Sequence, residues 1–274
     1  MKTKELDLST RILHGAWTPE PETGATVTPI FQSTAFAYGS AEELESVFAG
    51  RNAGYVYSRM GNPTVTQFER SLTNLEDGLG AIACSSGMAA ITATVLGLAE
   101  AGDEIVSGNS IFGGTYSLFE KTLSRYGIKT RFVESTDIEA YRKAITDRTK
   151  LIFVETIGNP KLDVPYIAAI GNIAREKGVA LAVDNTVTTP ILFQPKNAGA
   201  DIVIHSTSKF VNGHGNAIGG IIVDTGAFDW SGMRYRHLAQ LHKRVGNFAF
   251  LAFLRGQICR DIGCCLSPFN AYLM

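Results

Sequence analysis

The chain has 274 residues, 45% hydrophobic and 19% charged, with a formal net charge of −1. That size supports one large core, and the near-zero charge gives no electrostatic footprint for nucleic acid or an anionic membrane. No stretch reaches the roughly 18 consecutive apolar residues of a spanning helix, and "MKTKELDLSTRILHG" lacks the apolar core and cleavage site of a secretory leader. The four cysteines, Cys84, Cys259, Cys264 and Cys265, show no zinc-type pairing. Adjacent Cys264 and Cys265 read as small packing residues of a reducing compartment, so no metal ligand set is expected and the cytoplasm is the expected location.

Residues 1–55 carry turn chemistry rather than periodicity. The prolines of "TPEPETGATVTP" forbid a long helix, so this part reads as an extended arm laid over the rest. Within it "SAEELESVFAG" (40–50) predicts a short helix opened by Ser40, with acidic residues in its first turns. From about residue 63 the pattern alternates. "PTVTQFERSLTNLE" is helical with Pro63 in its first turn, "GAIAC" is a strand, and "MAAITATVLGLA" an apolar helix. "DEIVSG", "IKTRFV", "KLIFVET", "VALAVDN", "ADIVIHS" and "GGIIVD" predict further strands. "TYSLFEKTLSRYG", "DIEAYRKAI" and "YIAAIGNIAREKG" predict the helices between them. Strands that are almost wholly apolar are covered on both faces, which is the mark of a mostly parallel sheet in an α/β domain.

Ligands of such sheets bind beyond the carboxyl ends of the strands, and the polar residues of this sequence collect there. Ser85, Ser86 and Gly87 lead from a strand into a helix, offering free N–H groups to an anion. Asp184 ends "VALAV". His205, Ser206, Ser208 and Lys209 follow "ADIVI". Glu155 and Asn159 follow "LIFV", and a glycine-containing turn delivers Tyr116. Taken singly, each has an ordinary structural use as a cap, a turn or a surface side chain. Taken together, an anion seat, a carboxylate, an aromatic plane, hydroxyls and a partly buried lysine meet the needs of pyridoxal phosphate. Other motifs fail. "GHGNAIGG" has Ile218 where G-x-G-x-x-G wants its third glycine, "ACSSG" has Ala83 in place of an elbow glycine, and there is no H-E-x-x-H or P-loop. Cys84 lacks a partnered histidine and is a poor candidate nucleophile.

The segments "YVYSRMGNPT", "SSGMAA", "ETIGNP", "VDNT" and "HSTSKF" resemble the Cys/Met-metabolism family of pyridoxal-phosphate enzymes, the cystathionine γ-synthase-like group. "GYVYSRMGNPTV", "NGHGNAIGG" and "RDIGCCLSPFNAYLM" lean toward its O-acetylhomoserine sulfhydrylases. The resemblance implies an aspartate-aminotransferase-like (fold type I) large domain over 56–250, preceded by the arm of 1–55. Residues 251–274 would open a C-terminal small domain that is mostly missing, together with the arginine that binds the substrate carboxylate. On that expectation the 274-residue chain binds cofactor weakly and turns over little.

The resemblance also assigns roles. Lys209 would be the Schiff-base lysine and proton shuttle, Asp184 the partner of the pyridine nitrogen, and Tyr116 the ring-stacking and catalytic aromatic. Gly87, Met88, Ser206 and Ser208 would bind the phosphate. Tyr57 and Arg59 would reach the phosphate of a neighbouring subunit in a homodimer or homotetramer with shared sites. Asn159 would lie near the 3-hydroxyl, with Glu155 a weaker carry-over. The implied reaction is γ-replacement on O-acetylhomoserine by sulfide or methanethiol, giving homocysteine or methionine. γ-Synthase or methionine γ-lyase activity, or a non-catalytic scaffold, are the alternatives with the same residues.

Overall fold

The computed structural model describes residues 6–16, 19–20 and 22–274. Residues 1–5, 17, 18 and 21, all in the expected arm, lie outside the described residues. Seven strands form one sheet: β1 (Gly80–Cys84), β2 (Glu104–Gly108), β3 (Lys129–Val133), β4 (Thr149–Glu155), β5 (Ala180–Asp184), β6 (Ile202–His205) and β7 (Gly220–Asp224). Their order is β1-β7-β6-β5-β4-β2-β3. β7 runs antiparallel to both neighbours, and all the other pairs are parallel. The mostly parallel α/β sheet read from the sequence is therefore the architecture found.

Both faces are covered, which explains the continuous apolar strands. One face packs on α4 (Gly87–Leu98), α9 (Arg236–Val245) and α10 (Ala249–Phe253). Trp230 sits in that layer, stacked on Phe250 with ring centroids 5.0 Å apart and edge-on to Tyr235 at 5.4 Å. The Tyr235 hydroxyl is buried but satisfied: it donates to the Lys150 carbonyl at 2.7 Å and accepts from the Ala180 N–H at 2.9 Å. The other face packs on α3 (Pro63–Leu75), α6 (Ile138–Ala144), α7 (Ile167–Lys177) and α12 (Pro268–Leu273). The stretch 251–274 contributes Leu254, Cys259 and Cys264 to the first core, and Leu266 and Ala271 to the second.

Helix ends follow their local chemistry. Asn62 caps α3 by accepting from the Thr64 N–H at 3.0 Å, with Pro63 pre-set for the first helical position. Asp137 caps α6, and Gly178 ends α7 in the left-handed region at φ 61°. Ser40 caps α2 (Ala41–Phe48) as its sequence predicts. The arm is not extended throughout, because Leu8–His14 form a helix, α1. It lies along α3, where Arg11 donates to the Asn74 carbonyl at 2.6 Å and Gln67 to the Ala16 carbonyl at 2.9 Å. Further on, Thr64 ties the arm through the Pro29 carbonyl and the Phe31 N–H. Among the described residues no helix is long and apolar enough to cross a membrane.

Candidate active site

A cavity of about 680 Å³ opens at the carboxyl ends of β4, β5 and β6, beside the N-terminus of α4. Its floor is set by strand register. Glu155 and Asp184 are paired across β4 and β5, so two carboxyl side chains stand side by side on the same face. Both line the cavity, with Ser86, Gly87 and Met88 from the start of α4, Asn159, and the turn carrying Ser206, Ser208 and Lys209. The structure thus brings nine of the sequence-derived candidates to one space.

The α4 end is built for an anion. Ser86 caps the helix by accepting from the Ala89 N–H at 3.1 Å, leaving the preceding amides directed outward. Gly87 is there because nothing larger fits: a Cβ on it would stand 2.6 Å from Ser206 Cβ and 2.9 Å from Ser206 Cα. This contact joins the α4 seat to the lysine turn. A Cβ on Gly220 would likewise meet the Ser86 carbonyl at 2.2 Å, so β7 passes directly behind the seat.

The carboxyl groups are electrostatically distinct. Removal from water pushes the Asp184 carboxyl up, opposed by hydrogen bonds from Thr186. Thr186 donates to Asp184 Oδ1 through its N–H at 3.0 Å and its hydroxyl at 2.5 Å; among the described residues Oδ2 has no partner. Desolvation, and then the Asp184 charge, push Glu155 up to about 8. This rise is opposed by the Phe112 N–H, which donates to Oε1 at 2.8 Å. At neutral pH Glu155 holds its proton.

Several placements differ from the sequence reading. Tyr116 does not line the cavity. It sits one turn into α5 (Gly113–Ser117), and its ring stacks on Phe132 of β3 at 4.3 Å. Phe112 and Thr115 line the wall instead. Lys209 was expected to be partly buried but is exposed, because its turn projects beyond the sheet. The Ser208 hydroxyl is already engaged by Gly219, donating to its carbonyl at 3.2 Å and accepting from its N–H at 3.0 Å. His205 points away from the cavity, since strand alternation turns it toward α3. There its Nε2 meets Glu76 Oε1 at 2.7 Å in full burial. Tyr57 and Arg59 lie outside the cavity. Arg59 is held over the Tyr57 ring and donates to the Arg260 carbonyl.

Sequence reasoning missed Thr186. Its hydroxyl accepts from the Ser206 N–H at 2.7 Å while donating to Asp184, so one side chain ties the β5 and β6 tips together. The Asp-x-Thr spacing in "VDNT" is a local turn signal that points to it. Phe112 carried no such signal.

An anion seat, a carboxylate with one free oxygen and an amine around one cavity suit a phosphorylated cofactor with a cationic ring. A helix terminus favours the phosphate, and a ring N–H⁺ would relieve the desolvated Asp184. The chain belongs to the Cys/Met metabolism family of PLP-dependent enzymes, whose family model matches residues 9–274. It is similar to the O-acetyl-L-homoserine sulfhydrylase of Leptospira meyeri, at 39% identity over 95% of this chain and 63% of the relative. The corresponding enzyme of Corynebacterium glutamicum is 40% identical over 96% of this chain and 63% of the relative. The chain therefore spans 63% of the length of these curated relatives. Among solved structures, a putative O-acetylhomoserine (thiol)-lyase from Campylobacter jejuni, crystallised with a pyridoxyl-lysine monophosphate, superposes with a TM-score of 0.91. It is 32% identical, over 98% of this chain and 69% of that one. A cystathionine γ-lyase from Lactobacillus plantarum, complexed with L-serine, has a TM-score of 0.82 at 33% identity, covering 98% of this chain and 62% of that one.

Proposed function

We propose that this protein carries out γ-replacement on O-acetylhomoserine, with sulfide or methanethiol as the incoming sulfur nucleophile and acetate as the leaving group. The observation that carries the proposal is the convergence of Asp184, Lys209 and the α4 N-terminus on one cavity, in a chain about 40% identical to sulfhydrylases. Bound in that cavity, pyridoxal phosphate supplies an electron sink for negative charge at the substrate Cα.

The chain's own groups have separate tasks. The amides of Gly87 and Met88 and the hydroxyl of Ser206 hold the phosphate, and Ser208 joins them by giving up its bond to Gly219. Asp184, fixed by Thr186, holds a proton on the ring nitrogen through its free oxygen. Lys209 would anchor the cofactor covalently until the substrate amine displaces it, and its freed amine would then take the proton from Cα and return one after replacement at Cγ. Glu155, protonated beside Asp184, keeps the floor at a single negative charge. Asn159 takes the 3-hydroxyl side of the ring. Tyr116 reaches the ring face only by leaving its stack on Phe132.

Tyr57 and Arg59 lie outside this cavity, a placement that suits service to the phosphate of a neighbouring subunit in a dimer or tetramer. A cytoplasmic location accords with such metabolism. The test is acetate release from O-acetylhomoserine with and without sulfide. Sulfide-dependent acetate with stoichiometric homocysteine supports the reading. Acetate release independent of sulfide, with formation of a keto acid, assigns a γ-lyase instead.

A further inference from the structure

Outside the cavity, the structure gathers three cysteines that the sequence scatters. Cys84 ends β1, Cys259 lies in the helical stretch after α10, and Cys264 lies in the loop beyond it. All three are buried, and their Sγ atoms lie within 4.8 Å of one another, with Cys84 and Cys264 at 4.0 Å. We propose that Cys84, Cys259 and Cys264 form a binding site for one thiophilic divalent cation of the zinc class, held by three thiolates with solvent as the fourth ligand.

The geometry is close to what such an ion needs. With metal–sulfur bonds of about 2.3 Å, a tetrahedral site sets its sulfurs about 3.8 Å apart. The 4.0 Å pair already meets this, and the remaining pairs need to close by at most about 1 Å. Three soft sulfurs without a carboxylate select against magnesium and calcium. An entry path exists, because an open cleft lined by Gly114, Ser117, Ile262 and Gly263 reaches Cys264.

Binding would release the thiol protons of the trio to solvent, because the thiolate is the ligand form of cysteine. Arg255, fixed by its 2.8 Å pair with Glu69, belongs to the same helical stretch as Cys259. The site would also brace the cofactor end of the molecule. Cys84 immediately precedes Ser85, whose N–H donates to the Cys264 carbonyl at 2.8 Å, and Ser86 caps α4 next to it.

The experiment is equilibrium dialysis of the protein, with pyridoxal phosphate bound, against zinc ion alone. One zinc per chain is expected, with sulfur-only protein ligation: X-ray absorption at the zinc edge of the unmodified protein shows three sulfur neighbours at about 2.3 Å. The C84S/C259S/C264S variant binds about a hundredfold more weakly or worse. C265S, which alters the exposed neighbouring thiol, binds as the parent does. A nitrogen–oxygen shell, no stoichiometric zinc, or undiminished binding in a folded triple variant overturns the site. If the triple variant does not fold, the sulfur count in the unmodified protein decides alone.

Discussion

The Glu155 carboxyl offers a quantitative test of the electrostatics at the cavity floor. In the folded, cofactor-free chain it is only 7% exposed, and desolvation and Asp184 push it from its ordinary 4.5 up to about 8. An unfolded chain sheds that proton near the ordinary value, whereas the folded chain keeps it until about pH 8. Across this window the unfolded state binds fewer protons, so folding loses stability as pH rises. Each pH unit costs about 1.4 kcal/mol, giving a total of about 5 kcal/mol at most for a dry floor. Glu155→Gln keeps an oxygen for the Phe112 N–H and removes the titration. Asp201 and Asp224 are also raised by burial, to about 7 and about 6, and their contributions are common to both chains. Urea unfolding followed by circular dichroism therefore isolates Glu155 as the difference between them. The two chains should agree to about 1 kcal/mol near pH 5, and the variant should be about 2–5 kcal/mol more stable near pH 8.5. Parallel pH profiles for the two chains would refute the assignment of a neutral, desolvated Glu155.

Gly87→Ala places a methyl against Ser206 and should destabilise by about 1–3 kcal/mol, with a weakened affinity for pyridoxal phosphate measured by fluorescence titration. Asp184→Asn leaves the Thr186 contacts possible but removes the charge. Turnover should fall by about a hundredfold to a thousandfold, and Glu155 should titrate lower by NMR because a repulsive neighbour has gone. Phe250→Ala, which empties the stack on Trp230, should cost about 3–5 kcal/mol in chemical denaturation.

The strands and the helices between them were legible as far as β7, because doubly covered strands are largely apolar and α3, α4 and α6 begin with the recognisable caps Asn62, Ser86 and Asp137. The same apolarity concealed which way each strand tip faces. In "ADIVIH" both faces are buried, so only the sheet itself shows that His205 turns to Glu76, away from the cavity. The strand tips were correctly read as one cavity, since Glu155 and Asp184 end adjacent strands in register. The stack of Tyr116 on Phe132 was not legible, because it joins a turn to a strand distant in sequence. No helix was read from the residues after 224, although Arg236–Val245 forms an amphipathic one. The cysteine trio joins Cys84 to residues far along the chain, a proximity that only tertiary packing creates.

The most direct measurement is to add pyridoxal phosphate, reduce with borohydride, digest, and locate the pyridoxyl mass. A single modified peptide containing "STSKF" is expected, with the adduct on Lys209 and its loss in Lys209→Ala. A stoichiometric adduct on any other lysine, or none on a folded protein saturated with the cofactor, would contradict it.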